Sequence, residues 1–415
     1  MSTVANRTAD RPRENEDVIA GTTRLTPPQR NLAVDAYRGL VMVLMMGEVM
    51  RFAETARAFP NSGIWKWLAY NQSHVEWSGM SLHDTIQPGF TFLVGVALPY
   101  SIRSRQAKGE SFRRSLIHTI WRSFVLVALG VFLRSTAGPI TYFTFEDTLS
   151  QIGLGYTFGF LLTYARPRVQ WIALGGILFG YWLAWALYPA PGAGFNYTTV
   201  GVPLDWKGQL YTGFASHWNK NSNLGNSFDV WFLNLFPRTK RFQYNDGGYL
   251  TLSFIPTLGT MLLGVIAGRW YLESKPKIPL QRFMLAAIAL MAAGSLFHFT
   301  GICPIVKRIW TPSWTLWSGG VCFLFLAAFS WIIDVKGNRK IAFPLVVVGM
   351  NSIAAYLMAH LWEEFIQNSL RIHFGERFLN LMGPSLKPFF LGVLTMLAYW
   401  SILYWMYRKK IFIKI

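Results

Sequence analysis

Residues 315–334 read TLWSGGVCFLFLAAFSWIID, twenty positions in which the single ionisable carboxylate, Asp334, comes last. As an α-helix rising about 1.5 Å per residue, such a run is about 30 Å long, the thickness of a bilayer's hydrocarbon core. Working outward from it, similar apolar stretches stand at about 33–53, 83–102, 116–134, 147–165, 170–189, 248–268, 282–300, 343–361 and 387–407. Helix is the form expected for all ten. Backbone donors and acceptors inside lipid must be satisfied within the segment, and no ten-residue alternation of a barrel is present.

The composition agrees. Charged residues make up 14% of the 415 positions and hydrophobic residues 52%, whereas a soluble domain has about 25% charged residues. Membrane lipid is therefore the first partner implied, and soluble, disordered and fibrous classes fit poorly. The formal charge of +19 would suggest nucleic acid in a soluble protein. Here most Arg and Lys residues fall on short connections that share one face of the expected bundle, as cytoplasmic loops do, so no nucleic-acid partner is inferred. The expectation is an all-α, polytopic transmembrane bundle of ten spans with both termini cytoplasmic. Residues 1–30 are polar and read as a flexible tail. Residues 31–415 read as a single multi-pass domain with long outer loops at 54–82 and 190–247. Cys303 and Cys322 are separated along a helical run and cannot form a disulfide.

Ionisable groups near lipid cost about 2.5–3.5 kcal/mol each on insertion scales, so each requires a partner or a use. Asp35 and Arg38, three apart at the start of the first span, share a helix face and can pair. Glu48 lies deeper in the same span. The densest constellation is His74-Val-Glu76-Trp77-Ser-Gly79-Met-Ser-Leu-His83-Asp84, with two imidazoles and two carboxylates on the outer side. Such a group supplies acid, base and orienting functions together, or simply a hydrogen-bonded helix entrance. No metal-ligand spacing accompanies it, and no metal is expected. Asn351, in Gly349-Met-Asn351-Ser352, is followed by His360 at the outer end of the ninth span. Lys307 and Arg308 stand beside aromatic residues just outside the membrane, as interfacial anchors or as substrate contacts.

Taken in chain order, several motifs resemble those of the membrane-bound heparan-alpha-glucosaminide N-acetyltransferases and their shorter bacterial relatives. They are Asp35-Ala-Tyr-Arg38-Gly39; the His74 to Gly79 block with Asp84 and Pro88; Phe90 to Pro99; Trp121-Arg122-Ser123; Gly248 to Pro256 with Leu263-Gly264; Lys307 to Ser313; and Gly349 to Ser352. The resemblance covers most of Val34 to Tyr356. Gly47-Glu48-Val49 departs from it where the family carries an Asn, as do Ser150-Gln151, Val306, Asp246-Gly247-Gly248 and the added His83.

What the resemblance implies is transfer of an acetyl group from cytoplasmic acetyl-CoA to the amine of a glucosamine-type sugar or glycan on the far side of the cytoplasmic membrane. His74 would then be the general base or a transient acetyl carrier, Asp84 would fix its tautomer, and Asn351 would donate to the thioester oxyanion. Arg38, Arg103, Arg105 and Arg122 would take the phosphates of the co-substrate. Glu48, Trp77, His83, Lys307 and His360 would contact substrate. Readings from other classes remain open: a transporter or flippase of a glycan or lipid intermediate, an O-acyltransferase, or a non-catalytic membrane subunit. A homodimer or a larger membrane complex is equally open.

Overall fold

The computed structural model describes residues 30–413. The expected tail at 1–30 lies outside the described residues apart from Arg30. Fifteen helices follow in order: α1 (Leu32–Met46), α2 (Phe52–Ala58), α3 (Gly63–Asn71), α4 (Ile86–Ala107), α5 (Phe112–Ser135), α6 (Thr148–Thr163), α7 (Pro167–Leu187), α8 (Leu224–Phe232), α9 (Phe254–Ser274), α10 (Leu280–Phe299), α11 (Pro312–Ser330), α12 (Arg339–Met350), α13 (Ser352–Leu361), α14 (Glu363–Leu379) and α15 (Lys387–Arg408). Among the described residues there is no β-strand, and one isolated bridge joins Ser78 to Val306.

Among the described residues six helices are long and apolar enough to cross a membrane: α5, α7, α9, α10, α11 and α15, some extended by a flanking turn. The chain is in this sense a multi-pass membrane protein. The other expected spans are helical but differ in form. α1 ends after 15 residues, where Gly47–Met50 tightens into a 3-10 turn and Arg51 adopts a left-handed φ of 50°. The expected span at 83–102 opens as a 3-10 turn, His83–Thr85, before α4 begins. α6 has 16 residues and starts at Asp147, whose Oδ1 accepts from the amides of Leu149 and Ser150. The expected span at 343–361 is broken at Asn351, where α12 and α13 meet at 68°. Polar α14 had no counterpart among the expected apolar stretches.

Lipid gives helices little hydrophobic reason to associate, so close approach through small residues has to supply the contact. Gly95 of α4 and Gly264 of α9 do this. A Cβ on Gly264 would stand 2.0 Å from the carbonyl oxygen of Phe92, and one on Gly95 would stand 2.0 Å from that of Met261. Gly349 of α12 likewise lies against the Asp35 carbonyl of α1. Phe92, Met261, Leu262, Leu263, Phe323 and Leu326 fill the centre.

Above the bundle the long connection between α7 and α9 folds into a cap over a second core of Trp77, Tyr181, Trp185, Trp218, Leu250, Val306 and Ile309. Its asparagines build the cap. Asn219 bonds both backbone groups of Tyr211, Asn221 donates to the carbonyls of Val200 and Asn245, and Asn223 caps α8. These side chains hold main-chain groups that would otherwise be buried without partners.

Candidate active site

Three connections converge where the cap meets the bundle. The turn Ser73–Thr85 carries His74, His83 and Asp84, the segment before α9 carries Tyr249, and the segment before α11 carries Lys307 and Arg308. Gly79, at φ 109°, allows its turn to bend and donates its amide to the Ile305 carbonyl. Arg308 closes the assembly, donating to the Gly247 carbonyl at 2.7 Å and, through two nitrogens, to that of Val75 at 3.1 and 3.3 Å.

At the centre lies Asp84, whose side chain is 1% exposed. Its Oδ2 accepts from the amides of Ser81 and Val75 and from the Ser81 hydroxyl. Its Oδ1 stands 2.8 Å from His74 Nδ1 and 3.2 Å from Lys307 Nζ. Burial alone would raise the carboxyl's pKa, but the His74 hydrogen bond and the Lys307 charge hold it well below the usual carboxylate range. Burial lowers the pKa of His74, and Lys307 lowers it further against the opposing pull of Asp84. Lys307 is itself lowered by burial, again with Asp84 opposing. At neutral pH the imidazole is therefore neutral beside an ionised carboxylate.

Asp84 and Lys307 pull its tautomer in opposite directions, and the shorter contact is the one to Asp84. Lys307 Nζ is 2.9 Å from His74 Nδ1, so a bare Nδ1 could accept from it, yet its lone pair would then face Asp84 Oδ1 at 2.8 Å. With the proton on Nδ1 donated to Asp84, that repulsion becomes a charge-assisted hydrogen bond and Nε2 keeps the lone pair. The ring is 38% exposed and borders open space.

A second imidazole stands beside the first. His83 is buried, its ring centroid 4.6 Å from that of His74, and its Nε2 lies 2.8 Å from Glu48 Oε1. Glu48 is 60% exposed. A cavity of about 550 Å³ opens here, with His74, His83, Glu48, Lys307, His360, Tyr249 and Tyr356 in its walls and Met42, Met45, Met46 and Phe90 deeper in. A neighbouring cavity of about 470 Å³ shares Glu48, His74 and His83 with it.

Of the residues singled out in the sequence, His74, Asp84, His83, Glu48, Lys307 and His360 are thus brought together. Trp77 is not; it is 1% exposed in the cap core, where its Nε1 donates to the Trp218 carbonyl. Asn351 is also elsewhere. Its amide clamps the C-terminal segment through Ile411 O and Ile413 N. Its neighbour Gly349 packs on Asp35, thirteen residues or roughly 20 Å of helical rise from Glu48.

The four expected phosphate-binding arginines lie toward that opposite end. Arg38 pairs with Asp35 at 3.3 Å and borders a cavity of about 280 Å³ with Arg30, Tyr100, Ser101 and Ser104. Arg122 donates to the Tyr156 hydroxyl, Arg105 pairs with Glu110, and Arg103 is half-buried near the end of α4. Sequence reasoning missed Gln72, Tyr249, Glu146 and Arg134 as neighbours of this site, since no local pattern links them to it. Among the described residues no group of three His, Cys, Asp or Glu side chains is arranged to hold a metal ion.

No family model matches the chain. It is similar to the heparan-alpha-glucosaminide N-acetyltransferase of Homo sapiens, at 25% identity over 96% of this chain, and to that of Mus musculus, at 25% over 95%. The chain spans 62% of the length of these relatives. The motifs quoted from the sequence and these alignments agree that the chain is a distant relative of the heparan-alpha-glucosaminide N-acetyltransferases.

Proposed function

We propose that the protein is a transmembrane acetyltransferase that carries an acetyl group from acetyl-CoA on the cytoplasmic side to the amine of a glucosamine-type sugar on the outer side. The observation that carries this reading is the His74 imidazole, neutral, oriented by Asp84 and facing a cavity that runs down into the bundle. An ammonium has no lone pair, so the acceptor must first lose a proton. His74 Nε2 is the base that takes it. The amine nitrogen then bonds to the thioester carbonyl carbon, the carbon–sulfur bond breaks, His74 returns its proton to the departing thiolate, and the second nitrogen proton passes to water, which leaves a neutral amide. A covalent acetyl-imidazole is the alternative route: Nε2 bonds to the thioester carbonyl carbon as the carbon–sulfur bond breaks, and the amine then displaces the imidazole from that carbon.

Donor access is supported from the opposite end. Met42, in the deep part of the His74 cavity, is one helical turn, about 6 Å, from Arg38 in the cationic cavity. Arg38, flanked by Ser101 and Ser104, fits the phosphates of the co-substrate. In this reading α1, α4, α6 and the bent α12–α13 pair join the six long apolar helices as spans, making ten with both termini cytoplasmic, and the protein resides in the cytoplasmic membrane. The test is release of CoA thiol by purified protein supplied with acetyl-CoA and glucosamine. Wild type should release thiol only when the amine is present, and His74→Ala should fall to background. Equal rates would refute the assignment, and thiol-independent glycan movement would favour a carrier.

A further inference from the structure

Two cavities meet at the His74 ring, and their chemistry differs. The larger one is lined on one side by Met42, Met45, Met46 and Phe90, a surface suited to an alkyl thioester arm, and elsewhere by Arg134, Glu146 and Asp147. The other faces outward between α2 and the turn at residues 72–74. Arg51, Glu54, Arg57, Gln72 and Ser73 line it together with the three shared residues. Arg51 is already engaged by Glu363 at 2.6 Å, and Gln72 Nε2 by the Leu44 carbonyl at 2.7 Å. Glu54 and Arg57 form no ion pair among the described residues, and both are exposed.

From this division we propose that the outward cavity is the acceptor subsite, in which Glu54 and Arg57 take the ring hydroxyls of an amino sugar and Glu48 faces its ammonium. The inference rests on the acetyl-transfer reading and deepens it by assigning the two substrates to separate cavities. Glu48 stands at the junction with 60% of its side chain open; one carboxylate oxygen meets His83 Nε2 at 2.8 Å, and the open part of the group can meet an ammonium. Carboxylate and guanidinium groups bond vicinal hydroxyls strongly, since charged partners give the stronger hydrogen bonds. Both residues are on the outward side of α1's end, where an acceptor that never crosses the membrane arrives.

The experiment compares wild type, Glu54→Gln and Arg57→Ala by two readouts: glucosamine binding in the absence of acetyl-CoA, by calorimetry, and the two KM values for thiol release. Each substitution should weaken glucosamine binding and raise its KM by about tenfold. The KM for acetyl-CoA should stay within about twofold, and the rise in acceptor KM should be smaller for cyclohexylamine, which has no ring hydroxyls, than for glucosamine. Normal glucosamine KM in both variants, or a raised acetyl-CoA KM, would overturn the assignment while leaving acetyl transfer standing. Weakened glucosamine binding in a wild-type background that releases no thiol would keep the subsite and refute acetyl transfer. No glucosamine binding and no thiol release would refute both.

Discussion

The Lys307 ammonium lies 3.2 Å from Asp84 Oδ1 and 2.9 Å from His74 Nδ1, so one cation from the segment before α11 touches both members of a pair set in a different connection. Its nitrogen offsets the charge of a carboxylate that is otherwise held by Ser81 and Val75. It also disfavours a second positive charge on the imidazole.

Replacing Lys307 by Met should therefore move the acid limb of activity. In the proposed mechanism the neutral imidazole is the active form, and its pKa in the wild type is lowered by burial and by Lys307 against the pull of Asp84. Activity should persist below the ordinary histidine value of about 6.5 before it falls. In Lys307→Met the Asp84 influence remains without its counterweight, so the limb should shift to higher pH, and Lys307→Arg should restore it. Superimposable pH profiles would disprove the coupling.

The variant should also be less stable. Removing one partner from a buried ion pair costs about 3–5 kcal/mol, and Asp84 and Lys307 are 1% and 5% exposed. A thermal melt in detergent should show Lys307→Met well below wild type, with Lys307→Met/Asp84→Asn recovering part of the loss.

Gly264→Ala tests the backbone contact between α4 and α9. Its methyl group would meet the Phe92 carbonyl at 2.0 Å, so the helices must separate, at a cost of about 1–3 kcal/mol or more. Gly175→Ala in α7 is the control, because a Cβ there meets nothing within 4 Å. Melting temperatures should fall for the first and hold for the second.

Trp77→Ala separates structure from substrate contact. The indole is 1% exposed and packs on Gly248, so truncation should cost about 3–5 kcal/mol and loosen the cap. Limited proteolysis of the connection between α7 and α9 should accelerate. A variant that kept its melting temperature but lost acceptor affinity would place the indole in a binding site instead.

Asn351→Ala should expose the C-terminal segment without abolishing chemistry. Its amide holds Ile411 and Ile413, a helix length from His74. Faster C-terminal proteolysis with kcat within about threefold of wild type is expected. A loss of a hundredfold or more with an intact terminus would return Asn351 to the reacting centre.

Apolar runs of about twenty residues made the helices legible, because backbone groups inside lipid must be satisfied within their own segment. The breaks were not legible. Nothing local in Gly349-Met-Asn351-Ser352 announces a 68° bend, since the Asn amide is spent on a segment sixty residues away. At the site, His74, Asp84 and His83 were visible as a cluster because they share one turn. The contact of Lys307 with that cluster, and of Glu48 with His83, depends on how separate connections and α1 meet, which no spacing records. Trp77 misled for the opposite reason, since a tryptophan beside catalytic residue types serves a core as readily as a ligand.

Arg308 ties Val75 to Gly247 through their carbonyls, so two stretches of polypeptide distant in sequence are laced by a third. Cutting the chain at the exposed turn around Gly192 would leave His74 and Asp84 on one fragment and Lys307 with Arg308 on the other. Neither piece alone would hold the whole His74–Asp84–Lys307 cluster, and co-expression of the two should bring it together again across the Arg308 contacts.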